Sequence, residues 1–138
     1  MGRILAIDYG QKRVGIAVTD PLKITANGLT TVAVAEIFDF LAHYFEKETV
    51  DVVVIGLPKQ MNNEPSASMR FITPFVNGLK KRFPDQSIVM VDERFTSKLA
   101  HQAMLEGGLK KKDRQNKALV DQISATILLQ SYLETLRL

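Results

Sequence analysis

The 138-residue sequence contains no cysteine. That excludes disulfides, thiolate metal sites and a cysteine nucleophile. Histidine is scarce as well: His43 and His101 are the only two, far apart and in helical contexts, so a histidine-rich zinc centre is not expected. No apolar run approaches the length of a membrane span. The first such run, Ile4 to Ile7, is cut short by Asp8 and does not read as a signal peptide. These absences give the expectation of a cytoplasmic protein with no membrane attachment. Charge of either sign is nearly balanced, 18 Lys and Arg against 15 Asp and Glu, for a net +3. Such a mean is too weak to diagnose a nucleic-acid partner, and the distribution of the charge says more. Hydrophobic residues make up 46%, which rules out a largely disordered chain. With no repeat, low-complexity tract or linker, residues 1–138 are expected to form one domain around one core.

What is present reads as a mixed α/β chain. Ile4–Ile7 and Val14–Val18 predict two strands joined by a turn at Asp8–Arg13. Asp20-Pro21 signals a further turn, with a third strand around Gly28–Val32. Ala35–Glu48 changes to helical period, its apolar face carrying Ile37, Phe38, Leu41, Tyr44 and Phe45. Val50–Leu57 contains four consecutive β-branched residues, as a strand buried on both faces would. A helix from Ser66 to about Phe83 is expected to be kinked or delayed by Pro74. Ser87–Val91 predicts another strand, and a helix capped by Thr96 or Ser97 should run to Glu106 and end at Gly107-Gly108. The last helix, Ala118–Leu136, is expected to turn Leu119, Ile123, Ile127, Tyr132, Leu133 and Leu136 inward. A hairpin followed by alternating helices and strands is a mixed-sheet α/β domain.

Three acids sit where elements begin or end. Asp8 ends the first strand, Glu93 follows Ser87–Val91, and Asp121 lies near the start of the last helix; Asp92 is a fourth candidate. In open α/β sheets, sites form outside strand ends. Asp8 and the acids after Val91 meet there if their strands point the same way, and the last helix then presents Asp121 from above. Converging carboxylates repel unless a cation shares the site. Oxygen-only ligands suit Mg²⁺ or Mn²⁺, and two such ions about 4 Å apart would clamp a phosphodiester in line. Each acid taken alone has a plainer reading. Asp8 suits a turn, Asp92-Glu93-Arg94 suits a solvated turn with a local ion pair, and Asp121 favours the helix dipole. It is the combination, with Gly10, Lys12 and Arg13 flanking a strand-tip carboxylate, that points to a site.

Cations mark the expected contacts with a polyanion. Lys110, Lys111, Lys112, Arg114 and Lys117 crowd one loop against the single acid Asp113. Such a run is ordinarily a solvated, mobile surface. Beside a metal centre it becomes a phosphate clamp. Lys12, Arg13, Arg94 and Lys59, with Asn62 in the same loop as Lys59, complete the candidate set.

The motifs resemble a known family. Ile7-Asp8-Tyr9-Gly10-Gln11-Lys12-Arg13-Val14-Gly15-Ile16-Ala17 is similar to the first signature of the YqgF (RuvX) family. Val54-Ile55-Gly56-Leu57-Pro58 resembles its second, Asp92-Glu93-Arg94-Phe95-Thr96-Ser97 its third and Val120-Asp121-Gln122-Ile123-Ser124-Ala125 its fourth. The resemblance implies an RNase H-like, three-layer fold and a nuclease whose acidic metal site is formed by Asp8, Glu93 and Asp121. It implies processing of the 5′ end of pre-16S rRNA, or Holliday junction resolution by kinship with RuvC. One departure counts against the second. The strand ending Gly56-Leu57-Pro58 carries no acid, where RuvC-type resolvases carry one, so Glu93 must supply that ligand. Two other readings stand beside this. The strand–Asp–Gly–strand opening also resembles the phosphate hairpin of actin-like ATPases and sugar kinases, which need two such lobes. A non-catalytic binder of structured nucleic acid would use the same cations without turnover.

Overall fold

The computed structural model describes residues 2–10, 12–57, 69–92 and 117–136. Five strands form one sheet: β1 Arg3–Tyr9, β2 Arg13–Thr19, β3 Ala26–Ala33, β4 Val50–Leu57 and β5 Ser87–Asp92. Their spatial order is β3-β2-β1-β4-β5. β1, β2 and β3 pair antiparallel as a meander, while β4 and β5 join β1 in parallel. The parallel half follows from the intervening helices. α1, Ile37–Lys47, carries the chain from β3 to β4, and α2, Met69–Arg82, precedes β5. α3, Lys117–Leu136, closes the described chain.

Alternation along the strands sends successive residues to opposite faces. Leu5 and Ile7 of β1, Ile16 of β2 and Val53 and Ile55 of β4 pack with Ile37 and Leu41 of α1 and Ile72, Phe75, Val76 and Leu79 of α2. Ile4, Ala6, Ala17 and Val54 face the other way, onto Ala125, Leu128, Leu129 and Leu133 of α3. The sheet thus separates α1 and α2 from α3, the expected three layers. β1 and β4 are apolar on both faces, which is why their sequences read as continuous apolar runs.

One reading of the helices, the buried face of the last, needs correction. α2 is one continuous helix through Pro74. Pro74 sits in the second turn on an exposed position, and the residues before Met69, where the helix was expected to begin, lie outside those described. The inward stripe of α3 is Ala125, Leu128, Leu129 and Leu133, while Ile123 and Ile127 are only half-buried and Leu136 is 55% exposed. The apolar residues of α3 are spread around its circumference and interleaved with polar ones rather than gathered in one stripe, so periodicity alone does not select its buried face. Contact with the sheet selects the side bearing Ser124 and Ala125, whose small side chains admit a close approach. The helix expected over Thr96–Glu106 and the basic loop lie outside the described residues.

Leu128 is fully buried between α3 and the sheet, and Met90 is 37% exposed on β5. Leu128→Ala should therefore cost about 2–5 kcal/mol. Met90→Ala should stay within about 0.5 kcal/mol of the parent. Urea denaturation of the two variants checks the assignment of the core.

Candidate active site

Because β1, β4 and β5 are parallel, all three deliver their C-terminal residues to one edge of the sheet. Ile7 pairs with Ile55, and Ile55 with Met90. One residue further, Asp8 stands level with Gly56, which pairs with Val91. Asp92 ends β5 opposite Leu57 on the same edge. The strands carrying Asp8 and Asp92 do point the same way, two strand spacings apart, roughly 10 Å. Glu93, Arg94, Lys59, Asn62, Lys110, Lys111, Lys112 and Arg114 lie outside the described residues. Lys117 is the first residue of α3 rather than the end of a loop.

The face is settled by alternation. Ile4 and Ala6 pack on the α3 side, so Asp8 points to that side too. Its antiparallel partner is Gly15, and directly opposed residues share a face. α3 comes down at this point. A Cβ on Gly15 would collide with the main-chain carbonyl oxygen of Asp121 and lie 3.1 Å from the Asp121 Cβ. The Asp121 backbone therefore rests on Gly15, and antiparallel partners such as Gly15 and Asp8 have Cα atoms only about 4.5–5.5 Å apart. Asp121 also belongs to the inward stripe of α3, one helical turn before Ala125. Asp8 and Asp121 are half-buried, held by a strand and a helix rather than by loops.

Asp8 is bordered on its own face by Gly15 on one side and Gly56 on the other. Neither neighbour has a side chain to fill the space beside the carboxylate. These two glycines were not singled out from the sequence as site residues. The available signal was an isolated glycine inside a strand, which marks a close approach of backbone or ligand.

Arg13 opens β2. The turn before it is fixed by the Gly10 N–H donating to the Arg13 carbonyl at 2.9 Å, and the Val34 N–H donates to the Lys12 carbonyl at 3.1 Å. From this anchored position Arg13 Nε donates to Asp121 Oδ2 at 2.9 Å, the side chains being 37% and 24% exposed. Lys12 is exposed. The site edge thus combines two carboxylates, one guanidinium engaged with one of them, and a solvated ammonium. Among the described residues no group of three His, Cys, Asp or Glu is gathered as a metal cluster. Asp8 and Asp121 form a pair of oxygen donors, and the third sequence candidate, Glu93, is beyond the described segments.

Tyr9 follows Asp8 but turns to the opposite face, stacking on Phe75 with ring centroids 4.3 Å apart. Burial pushes its phenol above the ordinary tyrosine value. The groove lined by Ile24, Thr25, Ala26, Asn27, Gln130, Leu133 and Glu134 is remote from this edge. Leu133 is twelve residues beyond Asp121 on α3, about 18 Å along the helix axis.

The same geometry occurs in a chain with close relatives. The family profile of RuvX, described as Holliday junction resolvase, matches residues 2–135. The chain belongs to the RuvX family. A relative from Bacteroides fragilis is 67% identical over 138 residues, the whole of both chains, and carries the name "Putative pre-16S rRNA nuclease". A relative of the same name from Flavobacterium psychrophilum is 63% identical over 133 residues, 96% of this chain and 97% of its own. Among solved structures, T. thermophilus RuvC in complex with Holliday junction substrate is 17% identical. It superposes with a TM-score of 0.57 over 98% of this chain and 96% of that one. The mixed five-stranded sheet with helices on both faces is the RNase H-like fold. No helix among the described residues is long and apolar enough to cross a membrane.

Gly15→Ala tests the seating of α3 on the sheet. The added methyl group meets backbone rather than a movable side chain, so the variant should lose about 1–3 kcal/mol. Denaturant unfolding measures the loss; a stability equal to the parent would mean that α3 does not rest on Gly15.

Proposed function

We propose that this RuvX family member is a divalent-metal-dependent nuclease that hydrolyses phosphodiester bonds in precursor rRNA, at the 5′ end of pre-16S rRNA. The supporting observation is the placement of Asp8 and Asp121 on one face and one edge of the sheet. It occurs in a chain two-thirds identical, end to end, to a relative named for pre-16S rRNA cleavage. Residues 1–138 are read as one nuclease domain. A cytoplasmic site of action goes with a ribosomal substrate.

Asp8, Asp121 and Glu93 are assigned as the ligands of Mg²⁺ or Mn²⁺. The donor chemistry fits: carboxylate oxygens without thiolate or imidazole suit a hard cation. Two carboxylates brought to neighbouring positions also draw positive charge, of which Arg13 supplies part. Bound there, such an ion would supply Lewis-acid activation of the attacking water and neutralisation of charge on the phosphodiester. The chain's own contribution is positional. β1 fixes Asp8, and Gly15 seats α3 so that Asp121 is held beside it. Lys12, Arg13, Lys59, Arg94, Lys110, Lys111, Lys112, Arg114 and Lys117 are assigned to phosphate contacts. Such contacts position a nucleic acid without reading its bases.

A second reading, resolution of Holliday junctions, is favoured by the description of the family itself. Against it stands the end of β4, where Gly56-Leu57-Pro58 offers no acid. A cleavage assay decides between them. With Mn²⁺, a pre-16S rRNA 5′ leader should be cut and a synthetic four-way DNA junction left unresolved. Paired symmetric nicks in the junction, with the leader intact, would establish the second reading in place of the first.

Asp8→Asn keeps the shape of the side chain but loses its charge. It should abolish cleavage while leaving the thermal unfolding transition within a few degrees of the parent. Undiminished cleavage at saturating Mn²⁺ would make Asp8 a structural residue. Replacing Lys110, Lys111, Lys112 and Arg114 together by Ala should weaken RNA binding and flatten its salt dependence. For each cation withdrawn from a phosphate, the slope of log K against log salt should fall in magnitude by about 0.7–0.9. Filter-binding titrations at several salt concentrations measure it, and an unchanged slope would leave these residues as a solvated surface.

A further inference from the structure

Arg13 stands in the first-signature segment and was assigned from sequence to phosphate contacts, yet the structure engages it with an acid of the candidate metal site. Its Nε is 2.9 Å from Asp121 Oδ2. The contact joins residues 108 positions apart in sequence, and both ends are anchored. Arg13 is held at the head of β2 by the Gly10–Arg13 turn bond and by its pairing with Ala33. Asp121 is held by the seating of its backbone on Gly15. The pair is only partly exposed, so solvent screens it less than a free surface pair.

Resting on the nuclease reading above, we propose that Arg13 is a positioning residue that serves as the standing counter-ion of Asp121 and competes with the divalent cation for that carboxylate. With Asp8 one strand away on the same face, the edge carries two carboxylates. The guanidinium brings positive charge directly against one of them. Arg13 holds Oδ2 of Asp121, and its positive charge against the carboxylate repels a divalent ion approaching either oxygen. Arg13 therefore releases Asp121 as the ion is taken up. Because Arg13 is tethered by its backbone, the freed guanidinium stays at the sheet edge. There its planar set of five N–H donors suits a phosphate. One residue thus holds the acid pair together before loading and turns to the backbone of the nucleic acid afterwards.

A merely structural Arg13 and a competing Arg13 predict opposite changes in metal affinity. If Arg13 only orients Asp121 as a ligand, removing it loosens the site and weakens Mn²⁺ binding. If it competes, removing it tightens binding. The test is isothermal titration of Mn²⁺ into the full chain, the Arg13→Gln and Arg13→Lys variants, and Asp121→Asn, each first checked for a cooperative thermal transition. Arg13→Gln should bind Mn²⁺ about two- to fivefold more tightly than the parent, the range expected for loss of one partly exposed ion pair. It should also bind an RNA leader more weakly. Arg13→Lys, which keeps a competing charge, should lie close to the parent in Mn²⁺ affinity and provides the reading should Arg13→Gln not fold. Asp121→Asn should lose Mn²⁺ binding. Unchanged or weaker Mn²⁺ binding by Arg13→Gln, with Asp121→Asn still defective, would overturn the counter-ion proposal and leave the nuclease reading standing. Mn²⁺ binding that Asp121→Asn does not alter would overturn both.

Discussion

The close approach of a helix backbone to a strand backbone is the contact on which the site depends. Where α3 meets β2, the main chain of Asp121 occupies the space that any side chain at position 15 would need. Glycine is the residue that permits this. The approach lets an acid from residue 121 reach the neighbourhood of an acid from residue 8, although most of the chain separates them. The remainder of α3 follows from the same seating. Once Asp121 is over Gly15, the stripe through Ala125, Leu128, Leu129 and Leu133 must face Ile4, Ala6, Ala17 and Val54, and that packing supplies the hydrophobic stabilisation that keeps the helix down.

The second constraint is strand direction. Asp8 owes its position to β1 pairing parallel with β4 and β4 with β5, which gathers the ends of three strands at one edge. The meander on the other side contributes differently. β2 runs back from that edge, so its first residue, Arg13, starts there and can reach Asp121. A carboxylate pair and a guanidinium therefore converge from three elements with two directions of travel. Electrostatics accounts for why the grouping is tolerable: the acids repel, and the chain itself supplies positive charge that offsets this.

Much of this was legible in the residues. Strand ends marked by Asp8 and by Asp92-Glu93 follow from apolar runs that stop abruptly, and the parallel half of the sheet follows from helical segments between them. Other parts were not. The apolar residues of α3 are spread around the helix among polar ones, so its inward face was partly misassigned, to Ile123, Ile127 and Leu136; only contact with glycine-bearing strands distinguishes the true face. Pro74 reads as a breaker in sequence, yet α2 runs through it with the proline on an exposed position. Phe75 was overlooked beside it, although its ring stacks on Tyr9 and packs with Phe38. Arg13 was legible as a cation but not as a partner of Asp121, because an ion pair spanning 108 positions leaves no local pattern.

The claim at the centre of this account is that Asp8 and Asp121 serve one divalent ion. Anomalous diffraction from crystals equilibrated with Mn²⁺ addresses it most directly. The account predicts an anomalous peak at the carboxyl edge of the sheet, within coordination distance, about 2.0–2.3 Å, of a carboxylate oxygen from each of Asp8 and Asp121. Well-occupied Mn²⁺ bound elsewhere, with neither carboxylate among its ligands, would contradict it.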